Sequence, residues 1–597
     1  MNVRRVGGLA AIAAAIVLWM SCGEVYRPVV IPTQTTPPNP ANFHEVFGIT
    51  ANAPSTPGSA LQIDVAGDTN IGEANMGIVP THAGILPNNS RVFVASAGSF
   101  SGNGDVVTAF SPATDSTVVT GLGNPVTFTY PNFGPPDPNT GLPQWTCSYL
   151  PDYVATTSAT NVFVANYGVD NDPACAPNLA STDSVSVLGT GSNTITKIVY
   201  LPSGAHPVAM VETPNTLNLY VLNQGNNTVT DLSPTDLSVI GAPINVGTTP
   251  VWGVARVDSQ RVYIVTQGDS KLFTINTATN AVDGGVSVGI PGANFVLYDK
   301  SRNRLYVTNP TEQALYIFDG TQDPPAPLAT ISTKPGSAVC ASGCAPVSVA
   351  ALPDGSRFYL ATYQTPASCP DSNIGTAVKC MVPMLTVFDA GNFNIKPISG
   401  SLLAPSISLL ASPQFSTTQY AVPAVDGCVT PATYSPGTTR FRMFTAASTD
   451  SSHVYVSICD AGSIADIVTT TSSIAQGNNT PDSLVTDLPS PFAGCVSASC
   501  STVATVTGFS ITSNVVTFQA VNSFVPGQRV AISNLTTSAG VNELNGQKLT
   551  VIATGLSSTQ FECTLSGTQA DAPATADTGS AVPLPPLQSP LFLMTGQ

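Results

Sequence analysis

Charged side chains are scarce in this sequence. Of its 597 residues, 19 are Lys or Arg and 35 are Asp or Glu, which gives a net charge of -16. Binding to nucleic acid requires clustered basic residues that neutralise phosphates, so this composition excludes a nucleic-acid partner. It also leaves few groups for acid–base catalysis.

Helix-favouring composition is lacking as well. Gly and Pro together contribute 49 and 51 residues, which is too many helix breakers for a helical protein. Hydrophobic residues nevertheless make up 43% of the chain, so it can bury large cores and is not disordered overall. After residue 20 no apolar run reaches the roughly 20 residues that a membrane-spanning helix needs.

The first 22 residues have the organisation of a signal peptide. Arg4 and Arg5 precede an apolar run over 6–20, and Ser21 and Cys22 follow it. The lone Cys after a small residue resembles the lipobox of bacterial lipoproteins, which implies that Cys22 is acylated and becomes the new N-terminus. Residues 23–58 are polar and rich in Pro, as in an extended tether. We therefore expect a lipoprotein of the cell envelope, at the outer membrane or cell surface, with membrane as a partner through Cys22. The alternative is a periplasmic or secreted protein.

A short alternating motif recurs seven times between residues 91 and 458. It begins with a polar residue, continues with an apolar residue and an aromatic one, and usually ends in Asn, Thr or Ser. The copies are RVFVAS at 91–96, NVFVAN at 161–166, NLYVLN at 218–223, RVYIVT at 261–266, RLYVTN at 304–309, RFYLAT at 357–362 and HVYVSI at 453–458. Other alternating runs flank each copy, giving four predicted strands per unit, as in one propeller blade.

The tetrapeptide at Tyr306–Asn309 and its six relatives resemble the YVTN family of β-propellers. The resemblance implies an all-β fold, with a seven-bladed β-propeller over 59–500. The run LQIDVA at 61–66 has no blade before it, so we expect it to pair with the last blade and close the ring.

A small additional all-β module is predicted near the C-terminus, over 501–582. Alternating runs at 506–520, 528–535, 548–555 and 559–565 lack the blade signature, and they fit either a barrel or a sandwich. Residues 583–597 end in the apolar run LFLMTG. This run is either a tail or a closing strand that returns to the propeller, in which case the module is an insertion.

Eleven cysteines follow Cys22, and most lie in the stretched intervals between repeats. Insertions in an exported protein benefit from cross-links. By proximity we predict five disulfides and one free thiol at Cys563; the connectivity cannot be fixed from sequence alone. The predicted pairs are Cys147–Cys175, Cys340–Cys344, Cys369–Cys380, Cys428–Cys459 and Cys495–Cys500.

Histidines are few, and two of them stand at the start of predicted innermost strands. His82 in PTHAG and His206 in GAHPV are read as equivalent positions that either cap strand entries or line one channel mouth and bind a polar ligand. His453 opens a second strand and is expected to face solvent. Ser287 lies in the only GxSxG string, but no helix follows it as a nucleophile elbow requires. The acidic loop at Asp170 lacks the spaced carboxylates of a calcium loop.

No catalytic residue, metal site or cofactor is therefore assigned, and two function classes remain. The favoured one is a non-catalytic binding or scaffold protein of the envelope, with an envelope glycan or a surface protein as partner. The alternative is a lactone hydrolase, because YVTN propellers are similar to propellers of the 6-phosphogluconolactonase type. Such an enzyme would need Arg, Glu and His together at one channel mouth, and the sequence does not assemble that set.

Overall fold

The computed structural model describes residues 45–596 with short gaps. The gaps are 52–56, 66–67, 99–104, 113–122, 131–132, 137, 139–142, 146, 158–160, 174, 176–178, 399, 411–414, 416–418, 432, 471–480, 492–501, 566–569 and 586. The predicted signal peptide, Cys22, most of the tether, Cys495 and Cys500 lie outside the described residues.

Four-stranded antiparallel sheets make up most of the chain. The first three strands are β1 (Glu45–Ala51), β2 (Pro57–Asp64) and β3 (Thr69–Ile78). Blade one then contains β4 (Pro80–Ile85), β5 (Val92–Ser96), β6 (Val106–Ser111) and β7 (Gly123–Thr129). A two-stranded sheet of β8 (Phe133–Pro136) and β9 (Pro143–Trp145) precedes blade two, which is formed by β10 (Pro151–Ala155), β11 (Asn161–Asn166), β12 (Ser184–Gly189) and β13 (Thr194–Tyr200).

The next three blades repeat this plan with shorter connections. Blade three contains β14 (Pro207–Glu212), β15 (Leu219–Asn223), β16 (Thr228–Leu232) and β17 (Ile244–Asn245). Blade four contains β18 (Pro250–Ala255), β19 (Arg261–Thr266), β20 (Lys271–Asn276) and β21 (Ala281–Ser287). Blade five contains β22 (Phe295–Asp299), β23 (Arg304–Asn309), β24 (Ala314–Asp319) and β25 (Ala326–Ser332).

The later blades carry insertions. Blade six contains β26 (Ala345–Ala351), β27 (Arg357–Gln364), β28 (Cys380–Asp389) and β29 (Ile407–Ser408), and β30 (Val422–Pro423) also pairs with β28. A single 3-10 turn at Asp426–Cys428 follows. Blade seven contains β31 (Met443–Ala447), β32 (His453–Ile458), β33 (Ser463–Val468) and β34 (Ser483–Pro489).

The described residues form eight blades, so the predicted count of seven is wrong. The last strand of the chain, β41 (Ser589–Thr595), pairs with β1, and the sheet β41-β1-β2-β3 is an eighth blade. Its innermost strand β41 contacts the innermost strands of blades seven and one, which closes the ring. The protein is a β-propeller.

The repeat count missed the eighth blade for a physical reason. Its second strand carries the motif as EVFGIT at 45–50, with Gly48 where the other copies have a larger residue. A Cβ atom at Gly48 would lie 2.3 Å from Cδ1 of Ile464 in blade seven, so close packing between the blades explains the glycine. The blade is also divided between the two ends of the chain. The segment read as one closing strand at 61–66 lies largely in β2, the third strand of this blade.

The repeated aromatic residue is the structural basis of the motif. All seven aromatic residues are fully buried at 0% exposure, each in the second strand of its blade. They are Phe93, Phe163, Tyr220, Tyr263, Tyr306, Tyr359 and Tyr455. Removing an aromatic side chain from water contributes about 2–3 kcal/mol to folding, so the repeat marks the core of each blade.

The C-terminal module is a closed barrel with the strand order β35-β36-β39-β38-β37-β40. Its strands are β35 (Ala504–Thr512), β36 (Val515–Ala520), β37 (Arg529–Ser533), β38 (Lys548–Ser557), β39 (Gln560–Thr564) and β40 (Ala572–Pro583), with a π-helical turn at Gly540–Leu544. Phe509, Phe518 and Phe561 pack in its own core. The barrel is inserted between blade seven and β41, because the chain returns to the propeller after it.

Three of the predicted disulfides are confirmed: Cys147–Cys175, Cys369–Cys380 and Cys428–Cys459. They indicate an oxidising compartment outside the cytoplasm. Cys563 is free, as predicted, and lies buried in the barrel core. Among the helices of the described residues, none has the length and apolar character needed to cross a membrane.

The predicted pair Cys340–Cys344 is wrong, since both thiols are free and buried. The two thiols form a hydrogen bond with each other, and further contacts hold the cysteines in place. The side-chain amide of Gln364 donates to Sγ of Cys340 at 2.8 Å, and the backbone N–H of Cys344 donates to the carbonyl of Thr333 at 2.9 Å.

Candidate functional site

The centre of the ring is filled by side chains. In each blade, one residue of the innermost strand pairs with the residue that lies two positions after the buried aromatic residue. Trp252, for example, pairs with Val265, which lies two positions after Tyr263. The eight residues at this position are His82, Tyr153, Ala209, Trp252, Phe295, Ser348, Phe444 and Phe592. We call them the axial residues.

The axial residues meet across the ring. The ring centroids of Trp252 in blade four and Phe592 in blade eight lie 6.4 Å apart, although these blades are on opposite sides. His82 stacks on Tyr153 at 3.7 Å and contacts Phe592 at 4.4 Å. Phe295 and Phe444 lie edge to face at 5.7 Å. The axis is therefore a packed aromatic core rather than an open channel.

The insertion before blade seven covers one end of this core. Arg440 places its guanidinium over the ring of Trp252, 5.6 Å from the centroid, and over Tyr434 at 3.9 Å. Phe441 packs edge to face on Trp252 at 5.2 Å. We call residues 429–442, which lie between Cys428 and blade seven, the axial lid.

Arg440 is held by acceptors from three blades. Nη2 lies 2.7 Å from Oδ2 of Asp152 in blade two and donates to the carbonyl of Val208 in blade three at 2.8 Å. Nη1 donates to the carbonyl of Val251 in blade four at 3.1 Å. Tyr434 completes the group by donating its hydroxyl to Asp152.

Burial controls the ionisation of this cluster. Asp152 is fully buried, and desolvation raises its pKa to about 6 although Arg440 and Tyr434 act in the opposite direction. Desolvation also lowers the pKa of His82 well below its ordinary value, and the nearby charge of Arg440 lowers it further. His82 is thus neutral, and its Nδ1 accepts a hydrogen bond from the backbone N–H of Val154 at 3.3 Å.

His82 and His206 do not occupy equivalent positions, contrary to the prediction. His82 lies two residues after Pro80, whereas His206 immediately precedes Pro207, and both prolines start their strands in the same register. The φ angle of His206 is 47°, like those of Leu150 and Thr249 before the corresponding prolines. Among the described residues, the contacts of the two histidines have no residue in common.

His206 joins blade three to the long loop of blade two. Its Nδ1 lies 3.2 Å from Oδ1 of Asp183, its Nε2 lies 3.5 Å from Oδ2 of Asp170, and its ring stacks on Tyr167. The hydrogen bond with Asp183 raises the pKa of His206, although partial burial opposes this. The imidazole keeps 24% of its surface exposed. These contacts are those of a strand-entry cap whose outer edge remains accessible.

Two other sequence candidates, Ser287 and the acidic loop at Asp170, lie outside the axial core. Ser287 lies at the exposed end of the outer strand β21. Asp170 accepts hydrogen bonds from Ser203 and the backbone of Gly204, whereas Asp172 accepts one from the backbone of Ser148. The two carboxylates therefore serve different contacts, and the potential ligand atoms that lie close to Asp170 belong to Asp183 and His206.

A polar groove lies between the outer strands of blades one and two, with a volume of about 390 Å³. Its lining is dominated by hydroxyl and amide side chains, with Lys197 as its only charged residue. The lining residues are Thr127, Thr129, Tyr130, Asn193, Thr194, Ile195, Thr196, Lys197 and Ile198.

Sequence reasoning missed the residues of the axial lid. Arg440 and Tyr434 lie nearly 300 positions after Asp152, and no local motif links them to it. The available signal was an arginine inside an insertion bracketed by the predicted pair Cys428–Cys459, in a chain with few basic residues.

No protein family and no curated protein matches the sequence. Solved β-propellers are similar in structure. The periplasmic gluconolactonase PpgL of Pseudomonas aeruginosa has a TM-score of 0.41 and 15% identity, covering 59% of this chain and 94% of that one. A putative 6-phosphogluconolactonase from Bacteroides fragilis gives 0.40 and 14%, covering 60% and 95%. The dihydro-heme d1 dehydrogenase NirN gives 0.44 and 10%, covering 74% and 73%. Similarity at this level carries no argument about function.

Proposed function

We propose that this protein is an exported envelope propeller that binds a partner on its surface without transforming it. The observation that supports this most directly is the filled axis. Propeller enzymes need reactive groups that a substrate can reach, but here the axial residues pack against one another and the lid covers one end of them. Recognition then falls to the outer strands and to the disulfide-bracketed loops.

The groove between blades one and two is the surface that we assign to the ligand. Its threonine hydroxyls, Asn193 and the flanking isoleucines offer hydrogen bonds and apolar contact with little charge. An uncharged, hydroxyl-rich ligand matches this lining better than a polyanion or an acidic peptide does. We therefore propose a neutral glycan of the cell envelope as the partner, with Cys22 holding the protein at the membrane through its acyl chains.

Arginine variants test the groove. Thr127→Arg and Thr196→Arg place a large charged side chain on its two walls, and both residues are exposed. We expect each to weaken binding to purified envelope polysaccharide by about tenfold or more. Thr330→Arg, on the exposed face of β25 in blade five, is the matched control and should bind like the wild type. Equal binding by all variants, or binding only to envelope proteins, would contradict the proposal.

The anchor is tested separately. Cells fed a labelled fatty acid should label the wild-type protein, and Cys22→Ala should abolish the label and release the protein from membranes. Unchanged membrane association of this variant would refute anchoring through Cys22.

Lactone hydrolysis is the second candidate, and the meeting of Arg440, Asp152, Tyr434 and His82 at the axis is the observation in its favour. These are ionisable groups at one end of the ring, with Asp152 as the carboxylate instead of the Glu of the expected set. Against it, the guanidinium of Arg440 already donates to Asp152 and to two backbone carbonyls. The test is hydrolysis of 6-phosphogluconolactone or gluconolactone by the wild-type protein. Turnover that both Arg440→Met and His82→Ala abolish would show that the protein is an enzyme.

A further inference from the structure

A repeated polar contact joins neighbouring blades. The residue two positions before the buried aromatic reaches the connection between the third and fourth strands of the next blade. Arg91 donates to Asn193 at 2.8 Å, and Arg357 lies 2.5 Å from Asp482. Asn193 and Asp482 both have positive φ and immediately precede the fourth strand. We call this pair of positions the blade clamp.

His453 occupies the clamp position of blade seven. It is 7% exposed, so the expectation that it faces solvent is wrong. Its Nε2 lies 3.2 Å from Oδ1 of Asp68, which immediately precedes the outer strand β3 of blade eight and also has positive φ. This clamp therefore joins the last repeat to the blade that closes the ring.

A further carboxylate is present at this clamp. Asp466 lies opposite Tyr455 in the neighbouring strand β33 and is fully buried. No N–H or hydroxyl group of the described residues donates to its oxygens, and its hydrogen-bond partner is the carboxyl group of Asp68. One ligand atom each from Asp68, His453 and Asp466 lies within 4.8 Å of the other two. Asp68 and Asp487 both repel the charged form of Asp466, so a single imidazole faces an excess of negative groups.

Blade three contains the same arrangement with different side chains. Asn218 stands at the clamp position, Asp231 lies opposite Tyr220, and Asn280 precedes the outer strand of blade four. Asn218 donates to Asp231 at 2.7 Å, and Asn280 is also a hydrogen-bond partner of this carboxylate. Two amides thus face one carboxylate at this junction. At the closing junction an imidazole and a second carboxylate replace them.

Two buried carboxylates in contact cost several kcal/mol unless a cation or a proton compensates their charge. We propose that Asp68, His453 and Asp466 bind a divalent cation of the Zn²⁺ class between blades seven and eight, and that this ion stabilises the closing junction. Imidazole nitrogen together with carboxylate oxygen is a donor set that Zn²⁺ accepts, whereas Ca²⁺ and Mg²⁺ prefer oxygen alone.

The geometry around His453 fits a metal ligand. Ligand atoms at about 2.0–2.2 Å from a tetrahedral Zn²⁺ lie about 3.3–3.6 Å apart. Nε2 of His453 and Oδ1 of Asp68 are already 3.2 Å apart, and the ligand atom of Asp466, within 4.8 Å of both, has to approach by at most about 1.5 Å. Nδ1 of His453 lies 2.8 Å from Oγ of Ser452. A hydrogen bond from Nδ1–H to this hydroxyl leaves the lone pair of Nε2 free for the ion, which is the usual outer contact of a metal-bound histidine.

Metal analysis of the full mature chain tests the site. Protein is purified without chelator from zinc-supplemented cells, and half of it is dialysed against EDTA in mild denaturant and returned to buffer. We expect about one equivalent of Zn²⁺ per chain before dialysis, a lower melting temperature after it, and recovery with Zn²⁺ but not with Mg²⁺. Asp466→Asn should lose the metal and the response to Zn²⁺. Asp231→Asn, the matched change in blade three, should keep both.

A second variant addresses the possibility that Asp466→Asn does not fold. His453→Asn combined with Asp68→Asn rebuilds the amide–carboxylate–amide set of blade three around Asp466. This double variant should fold, contain less than about a tenth of an equivalent of Zn²⁺ and melt at the same temperature with and without EDTA. The proposal would be overturned if the wild-type protein contains no zinc, melts at the same temperature with and without EDTA, and is no more stable than the Asp466→Asn variant. These results would show that Asp68 and Asp466 share a proton instead.

Discussion

Nη2 of Arg440 lies 2.7 Å from Oδ2 of Asp152, although 288 residues separate them in the chain. The contact ties an insertion next to blade seven to the innermost strand of blade two, on the other side of the ring axis. Because Asp152 is fully buried, its charge depends on Arg440 and Tyr434 for compensation. This pair therefore links the stability of the ring to the position of the lid.

Breaking this pair should destabilise the propeller. We expect Arg440→Met to lower the free energy of unfolding by about 3–5 kcal/mol, because Asp152 is left buried without its partner. Adding Asp152→Asn should recover part of the loss, which urea unfolding followed by Trp252 fluorescence would measure. Lys271→Met is the control, since the exposed pair of Lys271 with Asp269 should contribute at most about 1 kcal/mol. A cost for Arg440→Met as small as this control would contradict the expectation.

The contribution of His206 should depend on pH. Its pKa is raised above the ordinary value of 6.5, chiefly by the hydrogen bond with Asp183, so the folded state binds the proton more tightly than the unfolded state. The stabilisation is therefore complete below pH 6.5 and is lost as the pH rises through the raised pKa. The stability difference between wild type and His206→Gln should be largest near pH 5.5 and should shrink by pH 8.5. A difference that stays constant across this range would show that the proton is not involved.

The disulfide Cys428–Cys459 should hold the axial lid in place. It joins the start of the lid to the end of the second strand of blade seven. Replacing both cysteines with serine should cost about 3 kcal/mol and should expose Trp252 to water. In a Trp145→Phe background Trp252 is the only tryptophan after the predicted signal peptide, so its emission should shift to longer wavelength. Serine at both Cys369 and Cys380, which are remote from the lid in sequence, should leave the emission unchanged.

Gly48 should be intolerant of even a methyl group. Gly48→Ala places a Cβ atom 2.3 Å from Cδ1 of Ile464, which is buried at the closing junction. We expect a cost of about 1–3 kcal/mol, as for other overpacked cores. Ile464→Val removes the clashing atom, so the double variant should be more stable than the sum of the two single changes predicts. Simple additivity in thermal unfolding would show that the clash is relieved elsewhere.

The repeat could be read from the sequence because it reflects a local requirement. Each copy needs a polar residue, an apolar residue and a buried aromatic in alternation, and strand periodicity shows such residues directly. Three disulfides were also within reach, since their partners lie close together along the chain. Cys340 and Cys344 are as close in sequence, but their thiols form a hydrogen bond with each other and no covalent bond.

The blade count could not be read in the same way. Counting copies detects blades that are continuous in the chain, whereas the eighth blade combines β1–β3 with β41 from the other end. Gly48 also makes the motif of this blade hard to recognise, and the glycine is required because the side chain of Ile464 in blade seven packs against it. The equivalence of His82 and His206 failed for a similar reason, because a register difference of three residues changes an axial position into a loop position.

Alternation and composition alone determined that this chain forms β-blades, since those features depend on neighbours within a few residues. The tertiary structure decided which distant side chains meet: Arg440 with Asp152, Trp252 with Phe592, and His453 with Asp68 and Asp466. Ring closure brings together residues from separate blades, and no local sequence pattern indicates these contacts. Whether the axis is open or filled, and which carboxylates face one another, are therefore properties of the closed ring.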